Sequence, residues 1–324
     1  FHRLAINGFG NDESEQPLKK HNCILICNGE IYNWKHLGKI SKSNCTTSSD
    51  CEIILDLYHK YGIEQTLEMI DGVFAFMIYD FATACAYVAR DTYGVRPLFI
   101  GTGEDNCIGI ASEVNMLNEH FHTIKQFVPG SYLELNVEHS HWVTGTSVMF
   151  AKGYTLNTAL QNTDEYCDII RTSFINAVQK RVENTEREIA VLISGGLDSS
   201  LIAALVKKFL PPDIVLETYS IGMSGASDFK YAQMVADHIG SKHTEVVVSE
   251  EEFFNAIPKV IQSISSYDTT TVRASVGNYL IGKYISKHSN AKVIFNGDGS
   301  DELTGGYMYF HYCPDSMTFD YECK

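Results

Sequence analysis

The stretch that decides the fold of the second half is Ser194-Gly195-Gly196-Leu197-Asp198-Ser199-Ser200, which follows the apolar run 189–193. The pattern predicts a short buried strand that enters a glycine turn, and the turn opens a helix. The two glycines let backbone N–H groups approach an anion with no Cβ in the way. The two serines lie in the first helical turn, where unpaired N–H groups and the positive end of the helix dipole favour phosphate.

The acidic residue inside this loop indicates a divalent cation. A carboxylate at Asp198 can hold Mg²⁺ between itself and a polyphosphate. The loop has no lysine, so it is not the common Gly-x-x-x-x-Gly-Lys-Ser/Thr pattern. A lone Gly-Gly turn would indicate an ordinary strand–turn–helix corner, but the full string after a strand is far more specific and favours a nucleotide site.

Strand and helix patterns alternate on both sides of this loop, which predicts an α/β domain with a parallel sheet and helices on both faces. Ligands bind such sheets at the carboxyl ends of the strands. Three of those ends are the Ser194 loop, Ile221-Gly222 and Asn296-Gly297. The predicted strands are 189–193, 215–221, 244–248 and 291–295, and the predicted helices are 199–209, 228–239, 251–265 and 272–287.

The first half reads mostly as strands, which predicts an antiparallel sheet domain with helices against it. Helical spacing begins near Ile53, with Ser48-Ser49-Asp50 as caps. The stretch 143–162 lacks periodicity and is predicted to be a linker, and Thr163 is predicted to cap the next helix. The predicted strands of this half contain the apolar runs 24–26, 73–79, 86–89 and 108–111.

Length and composition limit the classes of function. The chain has 324 residues, enough for about two domains. A net charge of −15 argues against nucleic acid, and no apolar run reaches the roughly 20 residues of a membrane span. Nine scattered cysteines predict free, buried thiols in a reducing compartment and therefore a cytoplasmic protein.

Two further motifs carry polar groups near predicted strand or helix ends. Asn296-Gly297-Asp298-Gly299-Ser300-Asp301-Glu302 follows a strand, and one of its carboxylates is placed to share Mg²⁺ with Asp198. An acidic surface turn is the alternative for that motif taken alone. Tyr267-Asp268-Thr269-Thr270-Thr271-Val272-Arg273 precedes a helix, which Thr270 and Thr271 are predicted to cap. Arg273 either clamps a carboxylate or is simply a solvated arginine.

The Ser194 string resembles the pyrophosphate loop of the ATP pyrophosphatases. Together with the other two motifs and the tail 306–311, it resembles the glutamine-hydrolysing asparagine synthetase family over essentially the whole chain. That resemblance implies that ATP and aspartate form β-aspartyl-AMP and pyrophosphate, and that ammonia then displaces AMP. The reaction would proceed by orientation and charge neutralisation, without a covalent protein intermediate.

The resemblance also implies a role for each motif residue. The catalytic set is Asp298, Thr270 and Arg273. The metal set, for Mg²⁺, is Asp198 and Asp301. The ATP-binding set is Leu192, Ser194, Gly195, Gly196, Leu197, Asp198, Ser199, Ile221, Asn296 and Gly297.

This chain departs from the family at the acidic motif. The family usually has Ser-Gly-Glu-Gly-Ser-Asp-Glu where this chain begins Asn296-Gly297-Asp298, and the family's glutamate is implicated in forming the adenylate. Asp298 keeps the charge but is shorter by one methylene. A misplacement of about 1 Å can cost about a hundredfold in rate, so we expect a weaker synthetase.

The first half resembles the N-terminal-nucleophile glutaminase domain of the same family. By that resemblance Arg3 binds the α-carboxylate of glutamine, Glu30 and Asp50 bind its α-ammonium, and Asn28 and Gly29 supply the oxyanion hole. Taken alone, Asn28-Gly29 is a common turn dipeptide. We interpret Arg90–Leu98 as structural. The implied glutamine-binding set is Arg3, Leu4, Ala5, Ile6, Asn7, Asn28, Gly29, Glu30 and Asp50.

The ends of the chain suggest a fragment. The family's nucleophile is an N-terminal cysteine, but this chain begins at Phe1, and the family continues with a helical region beyond the motif at Phe310. We therefore expect a partial glutaminase domain at 1–150 and a partial synthetase domain at 163–324, and neither reaction completed by these residues alone. The expected partners are aspartate and glutamine or ammonia, and a homodimer stays open. Two alternatives remain: an adenylating enzyme like β-lactam synthetase, and a non-catalytic remnant that binds nucleotide or glutamine.

Overall fold

The computed structural model describes residues 4–104, 107–138, 141–151 and 162–322. The chain divides into two compact units, Phe1–Ile170 and Arg171–Lys324. The division falls inside a helix, Thr163–Glu183, whereas the sequence predicts that the second domain begins with that helix. No described helix is long and apolar enough to cross a membrane.

The described part of the first unit contains two antiparallel sheets, two complete α-helices and the first residues of the helix Thr163–Glu183. One sheet has the strand order β1-β2-β3-β4-β8-β9, and the other has the order β6-β5-β7. The strands are β1 (Leu18–Lys20), β2 (Cys23–Ile31), β3 (Gly72–Asp80), β4 (Cys85–Arg90), β5 (Phe99–Thr102), β6 (Ile108–Ala111), β7 (Thr123–Gln126), β8 (Ser131–Glu138) and β9 (His141–Met149), and the helices are α1 (Trp34–Ser41) and α2 (Ile53–Met69).

Alternation along β3 explains why the larger sheet is covered on both faces. Phe74, Phe76 and Ile78 pack into a cluster with residues of α2, including Ile54 and Leu57. The intervening residues of β3 face a second cluster, which includes side chains of β5 and β6. Successive side chains of a strand point to opposite faces, so one apolar run serves both cores. The predicted antiparallel domain is confirmed.

The predicted caps of α2 are wrong. Residues Asp50–Glu52 form a 3₁₀ turn ahead of α2, and the Ser49 side chain makes no capping hydrogen bond. Glu52 stands at the N-cap of α2, also without a side-chain cap. The carboxylate of Asp50 instead accepts the Ile31 N–H at 2.8 Å. It therefore contacts the end of β2 rather than capping α2. The helix α2 is also interrupted at Gly62, where φ is +79°.

The second unit is an α/β layer structure, as predicted. Its described strands form one parallel sheet in the order β12-β11-β10-β13. The strands are β10 (Ile189–Leu192), β11 (Glu217–Gly222), β12 (Lys242–Val247) and β13 (Val293–Phe295), and the helices are α3 (Thr163–Glu183), α4 (Leu197–Phe209), α5 (Ser227–Ile239), α6 (Glu250–Ile264), α7 (Thr269–His288), α8 (Ser300–Thr304) and α9 (Ser316–Glu322).

Helices cover both faces of this sheet. On one face Val191 and Ile193 pack with Ala203 and Val206 of α4 and Ala232 of α5. On the other face Ala190 and Tyr219 pack with Ile281 and Ile285 of α7. Strand β10 is therefore apolar on both sides, which is why the sequence shows a continuous apolar run there.

The predicted caps of α7 are also wrong. Asp268 is the N-cap, and its carboxylate accepts the Thr271 N–H at 2.8 Å. Thr270 and Thr271 lie inside the first helical turn. Asp268, two residues before Thr270, satisfies the free N–H group, since its carboxylate is a stronger acceptor than a threonine hydroxyl.

Candidate functional site

The Ser194 loop is held in shape by its own hydroxyl groups. The Ser199 Oγ lies 3.2 Å from the Ser194 N, which donates to it, and 3.1 Å from the Ser194 Oγ. The Ser200 Oγ donates to the Gly196 carbonyl at 2.5 Å. Ser199 is buried, and its hydroxyl is committed to the loop rather than to a ligand. The backbone N–H groups at the start of α4 have no acceptor within the helix, as at any helix N-terminus, and are the groups suited to a phosphate.

Gly195 is required by close packing as well as by backbone conformation. Its φ is +84°, and a Cβ at this position would lie 2.3 Å from the Cβ of Tyr231. Tyr231 comes from α5, so the glycine allows that helix to approach the loop. The tyrosine ring itself is half exposed beside the loop. No motif in the sequence indicates Tyr231 as a neighbour of this loop.

The Asn296–Glu302 motif lies against the Ser194 loop, as the predicted sheet requires. Strand β13 pairs with β10, with Phe295 opposite Val191. A Cβ at Gly297 would lie 3.1 Å from the Ser199 backbone nitrogen and 3.4 Å from the Cβ of Asp198. The two motifs are therefore neighbours at the carboxyl edge of the sheet.

Within the acidic motif, Asp298 is held by a neighbour. The Asn296 Nδ2 donates to one carboxylate oxygen of Asp298 at 2.8 Å, and both residues are exposed. Asp301 lies in the first turn of α8 and is partly buried. Glu302 accepts a short hydrogen bond from the Tyr307 hydroxyl, which lowers the pKa of Glu302 and raises that of Tyr307 to about 12.

The donor set fits a hard cation in its chemistry. Asp198 projects from the first turn of α4, and the loop that carries Asp298 and Asp301 approaches the same turn. Carboxylate and phosphate oxygens are the ligands that Mg²⁺ prefers. Among the described residues, however, Asp198 and Asp301 belong to no cluster of three potential ligand atoms within 4.8 Å. Polyphosphate and water oxygens would have to complete the coordination.

The helix α7 directs its N-terminus toward the same edge of the sheet. Near its C-terminus, Ser289 donates to Glu217 at the start of β11. A Cβ at Gly277 would lie 3.9 Å from a methyl carbon of Ile221, near the end of β11. The helix therefore runs antiparallel to the strand. Arg273 and Thr270 lie about 6 and 10 Å further along the helix axis, beyond the carboxyl edge, and both are exposed.

The two predicted apolar neighbours of the nucleotide share one face of the sheet. Leu192 and Ile221 both pack on the cluster that faces α7. Leu192 is opposite Tyr219, and the Ile193 N–H donates to the Tyr219 carbonyl at 2.9 Å. Leu192 and Ile221 are each partly buried, so both present some surface at the ends of adjacent strands.

In the first unit, Asn28, Gly29 and Glu30 lie on β2 directly beside β3. Gly29 is opposite Phe74, and a Cβ on Gly29 would lie 2.4 Å from the Val73 carbonyl oxygen, so only glycine fits. The Asn28 Nδ2 donates weakly to the Ser112 hydroxyl, at 3.5 Å. The Asn28 side chain, the Gly29 backbone and the Glu30 side chain thus come from three consecutive residues of β2.

Glu30 and Asp50 are brought together through the end of β2. Asp50 is 3% exposed and accepts the N–H of Ile31, the residue after Glu30. Glu30 forms an ion pair with Arg96, whose Nη2 lies 2.9 Å from its Oε1. Arg96 lies in the segment interpreted as structural, and for this residue that interpretation is incomplete.

The predicted binding residues before the 3₁₀ turn Asp12–Ser14 are only partly described. Arg3 lies outside the described residues. Leu4 is exposed, Ala5 and Ile6 are partly buried, and Asn7 is buried. A Cβ at Gly8 would lie 3.2 Å from the Ser48 carbonyl carbon, so this segment runs beside the approach to Asp50. Gln16 then exchanges two hydrogen bonds with the backbone of Cys27, next to Asn28.

A buried ion-pair network lies behind Asp50. Cys45, Glu52 and Asp56 place three potential ligand atoms within 4.8 Å of one another. The Lys20 ammonium already lies among them, 2.6 Å from Glu52 Oε1 and 2.9 Å from Asp56 Oδ2. Glu52 also accepts the backbone N–H groups of Thr46 and Thr47. Because lysine supplies the positive charge, this cluster is best explained as a clamp on the Asp50–Glu52 turn.

The described cysteines make no disulfide bond. Cys23, Cys27 and Cys51 are buried, as predicted, but Cys107 and Cys167 are exposed. Burial raises the pKa of the Cys23 and Cys45 thiols to about 11, so both are unreactive at neutral pH.

Comparison with known proteins divides the chain close to the boundary between its two units. Residues 1–159 match the glutamine amidotransferase domain family, and residues 170–320 match the asparagine synthase family. The chain is 43% identical over 340 residues to asparagine synthetase (glutamine-hydrolyzing) of Pongo abelii, which covers 97% of this chain and 60% of that protein. The protein of that name from Homo sapiens matches with the same identity and the same coverage. The chain thus spans about 60% of the length of the curated relatives it matches.

One solved structure shows a weak overall similarity. Glutamine phosphoribosylpyrophosphate amidotransferase from B. subtilis, complexed with ADP and GMP, aligns with a TM-score of 0.39 at 17% identity, covering 95% of this chain and 78% of that chain. No function is transferred from a similarity of that size.

Proposed function

We propose, from the premise that this chain belongs to the family of glutamine-hydrolysing asparagine synthetases, that its protein converts aspartate to asparagine with ATP and glutamine-derived ammonia. One structural observation carries the proposal. The acidic loop of β13 lies against the first turn of α4, so that carboxylates and free backbone N–H groups meet at one edge of the sheet. That edge suits a polyphosphate chelated by a cation.

The second unit would activate aspartate by positioning it. Backbone N–H groups at the start of α4 would hold the pyrophosphate portion of ATP, and Leu192 and Ile221 would flank the adenosine. Asp198 and Asp301 would hold Mg²⁺, which supplies charge neutralisation of the phosphates when bound. Asp298, Thr270 and Arg273 would then orient the aspartate carboxylate toward the α-phosphorus. Because no described side chain in this set is a nucleophile activated by a base, catalysis rests on orientation and electrostatics.

The first unit would bind glutamine. Glu30 and Asp50 would receive the α-ammonium, and Asn28 with the backbone N–H of Gly29 would receive the scissile carbonyl oxygen. The proposed partner of the α-carboxylate is Arg3. Opposite charges at the two ends of the site match the zwitterion.

The same proposal includes a cellular setting. The eight described cysteines are free, which supports a reducing compartment, and we propose the cytoplasm. A homodimer stays a prediction.

The decisive experiment follows the phosphate products. The complete protein, purified and supplied with ATP, Mg²⁺, ammonium and aspartate, should release AMP and pyrophosphate in equal amounts and should form asparagine. Asp198→Asn should reduce AMP formation at least tenfold, while Asp213→Asn, a change of an exposed aspartate in the same unit, should not.

Each alternative predicts a different outcome of this assay. Release of ADP would contradict the proposed cleavage between the α and β phosphates. AMP without asparagine, from a different carboxylic acid, would favour the β-lactam synthetase-like alternative. ATP or glutamine binding without turnover would favour the non-catalytic one.

A further inference from the structure

The ion pair between Arg96 and Glu30 closes a ring of contacts around the proposed glutamine site. Glu30 is opposite Val73, and the next residue of β3, Phe74, donates its N–H to the Asp91 carboxylate at 3.2 Å. The same carboxylate accepts the Arg96 N–H at 3.0 Å. The Arg96 guanidinium then returns to the Glu30 carboxylate. The arginine is therefore anchored to the strand that neighbours Glu30.

The backbone at Arg96 is fixed from both sides. Asp91 is 2% exposed, and its carboxylate also accepts the N–H groups of Tyr93 and Val95. The Arg90 Nε donates to the Arg96 carbonyl at 2.7 Å, and Arg90 is itself buried. A guanidinium mounted on so constrained a turn has little freedom, so it fixes the carboxylate that it contacts.

Stability alone does not account for this arrangement. The Arg96 Nε is buried and has no hydrogen-bond partner among the described residues. An unsatisfied buried donor is destabilising, whereas a partly exposed ion pair contributes little to stability. The free energy lost at the unsatisfied Arg96 Nε is therefore at least as large as the free energy gained from the ion pair with Glu30. Departures of this kind are typical of functional sites.

The charges around Glu30 supply a functional reason. Glu30 and Asp50 place two carboxylates at the end of the site proposed for the α-ammonium, and that ammonium brings one positive charge. The Arg96 guanidinium brings the second. Two carboxylates that lie close together repel each other, and a nearby guanidinium offsets part of that repulsion.

We propose that Arg96 is a positioning residue for amino-acid recognition in the first unit. It contacts one oxygen of Glu30 and balances its charge, and so fixes the carboxylate at the end of the site proposed for the α-ammonium of glutamine. This role rests on the proposed glutamine site.

Binding of L-glutamine measured by calorimetry tests the role. Arg96→Gln should weaken glutamine binding about tenfold, and Arg96→Lys, which keeps the charge but not the fork geometry, about threefold. Lys125→Gln removes an exposed positive charge from the same unit and should bind as the unchanged protein does. If Arg96→Gln fails to fold, Arg96→Lys tests the role instead. An unchanged affinity for L-glutamine in Arg96→Lys would contradict the proposal that the guanidinium geometry positions Glu30.

A double-mutant cycle separates positioning from a merely structural role. If Arg96 acts through Glu30, then Arg96→Gln should cost nothing further in a Glu30→Gln background. Losses in glutamine affinity that multiply independently would overturn the proposal, as would unchanged binding by Arg96→Gln. Failure of the unchanged protein to bind L-glutamine would instead overturn the proposed glutamine site, and the role of Arg96 with it.

Discussion

Asp298 and Asn296 differ together from the pattern usual in the family, and the structure joins them. The Asn296 amide donates to the Asp298 carboxylate at 2.8 Å. An aspartate is shorter than a glutamate by one methylene, and this hydrogen bond holds it toward its own loop. We therefore expect the carboxylate to stop short of the position that a glutamate would reach.

Lengthening that side chain should restore rate. We predict that Asp298→Glu raises aspartate-dependent pyrophosphate release about tenfold or more, since a misplacement of about 1 Å can cost about a hundredfold. Asn296→Ser combined with Asp298→Glu should exceed the single change, because the serine no longer holds the carboxylate. A rate that is unchanged or lower in Asp298→Glu would refute the prediction, and Asp213→Asn serves as the surface control.

His243 shows how one partly buried ring couples the stability of the second unit to pH. Its two ring nitrogens lie 3.1 Å from the Thr218 hydroxyl and 3.0 Å from the Ser220 hydroxyl, on the adjacent strand. Burial lowers the pKa of His243 below its ordinary value, although nearby Glu245 opposes the shift. The folded protein therefore keeps this ring neutral over a range where the unfolded chain is protonated.

The sign of the pH effect follows from that difference. Below the ordinary histidine pKa of about 6.5, the unfolded state binds a proton that the folded state does not. The free energy of unfolding therefore decreases as the pH is lowered. We predict that His243→Gln reduces this fall between pH 7.5 and 5.5, by no more than about 1 kcal/mol. Urea denaturation at several pH values measures it. His238→Gln, an exposed histidine of the same unit, should leave the slope as it was.

Among the elements, the turn before α2 depends on a single carboxylate. Burial by itself would raise the pKa of Glu52, but hydrogen bonds from Lys20, Thr47 and the Thr46 backbone outweigh it and lower the pKa. The ionised form is thus favoured by folding. Its stabilisation is present above the ordinary glutamate pKa of about 4.3 and is lost as the pH falls through the lower folded value.

The charge of Glu52 should therefore stabilise the whole turn Asp50–Glu52. Glu52→Gln should lower the free energy of unfolding of the first unit by about 1–3 kcal/mol at pH 7, because Lys20 and two backbone N–H groups lose a charged acceptor. The difference from the unchanged protein should narrow as the pH falls below about 4. Glu15→Gln, at an exposed site, should show no such difference. An equal cost at pH 7 and at low pH would contradict the assigned charge state.

Elements of this chain were predictable where local pattern and packing agree. The run that became β10 is apolar on both faces, and the glycine turn after it opens α4 at Leu197, two residues before the predicted start. The N-cap of α7 was not predictable, because Asp268, Thr270 and Thr271 can all accept a hydrogen bond from the same N–H groups. The ion pair of Arg96 with Glu30 joins positions 66 residues apart, and only the pairing of β2 with β3 brings them together.

At the scale of the whole molecule, each proposed site is built on the cores of its own unit. The residues that shape the glutamine site rest on β2, β3 and α2. Those that shape the nucleotide site rest on β10, α4 and α5. Among the described residues, the clusters beneath the glutamine site belong to the first unit and those beneath the nucleotide site to the second, so we expect a local distortion at one site to leave ligand binding at the other unchanged.

Gly195→Ala tests that independence. The added methyl would meet Tyr231 at 2.3 Å in a backbone conformation with φ of +84°, so the Ser194 loop must move. We predict at least a tenfold loss of affinity for ATP with Mg²⁺, and an affinity for L-glutamine within about twofold of the unchanged protein. Gly282→Ala is the matched control, because nothing lies within 4 Å of its added methyl and α7 gains helix propensity. Calorimetric titration of each variant with both ligands gives the answer, and a parallel loss of glutamine affinity would show that the two sites are coupled.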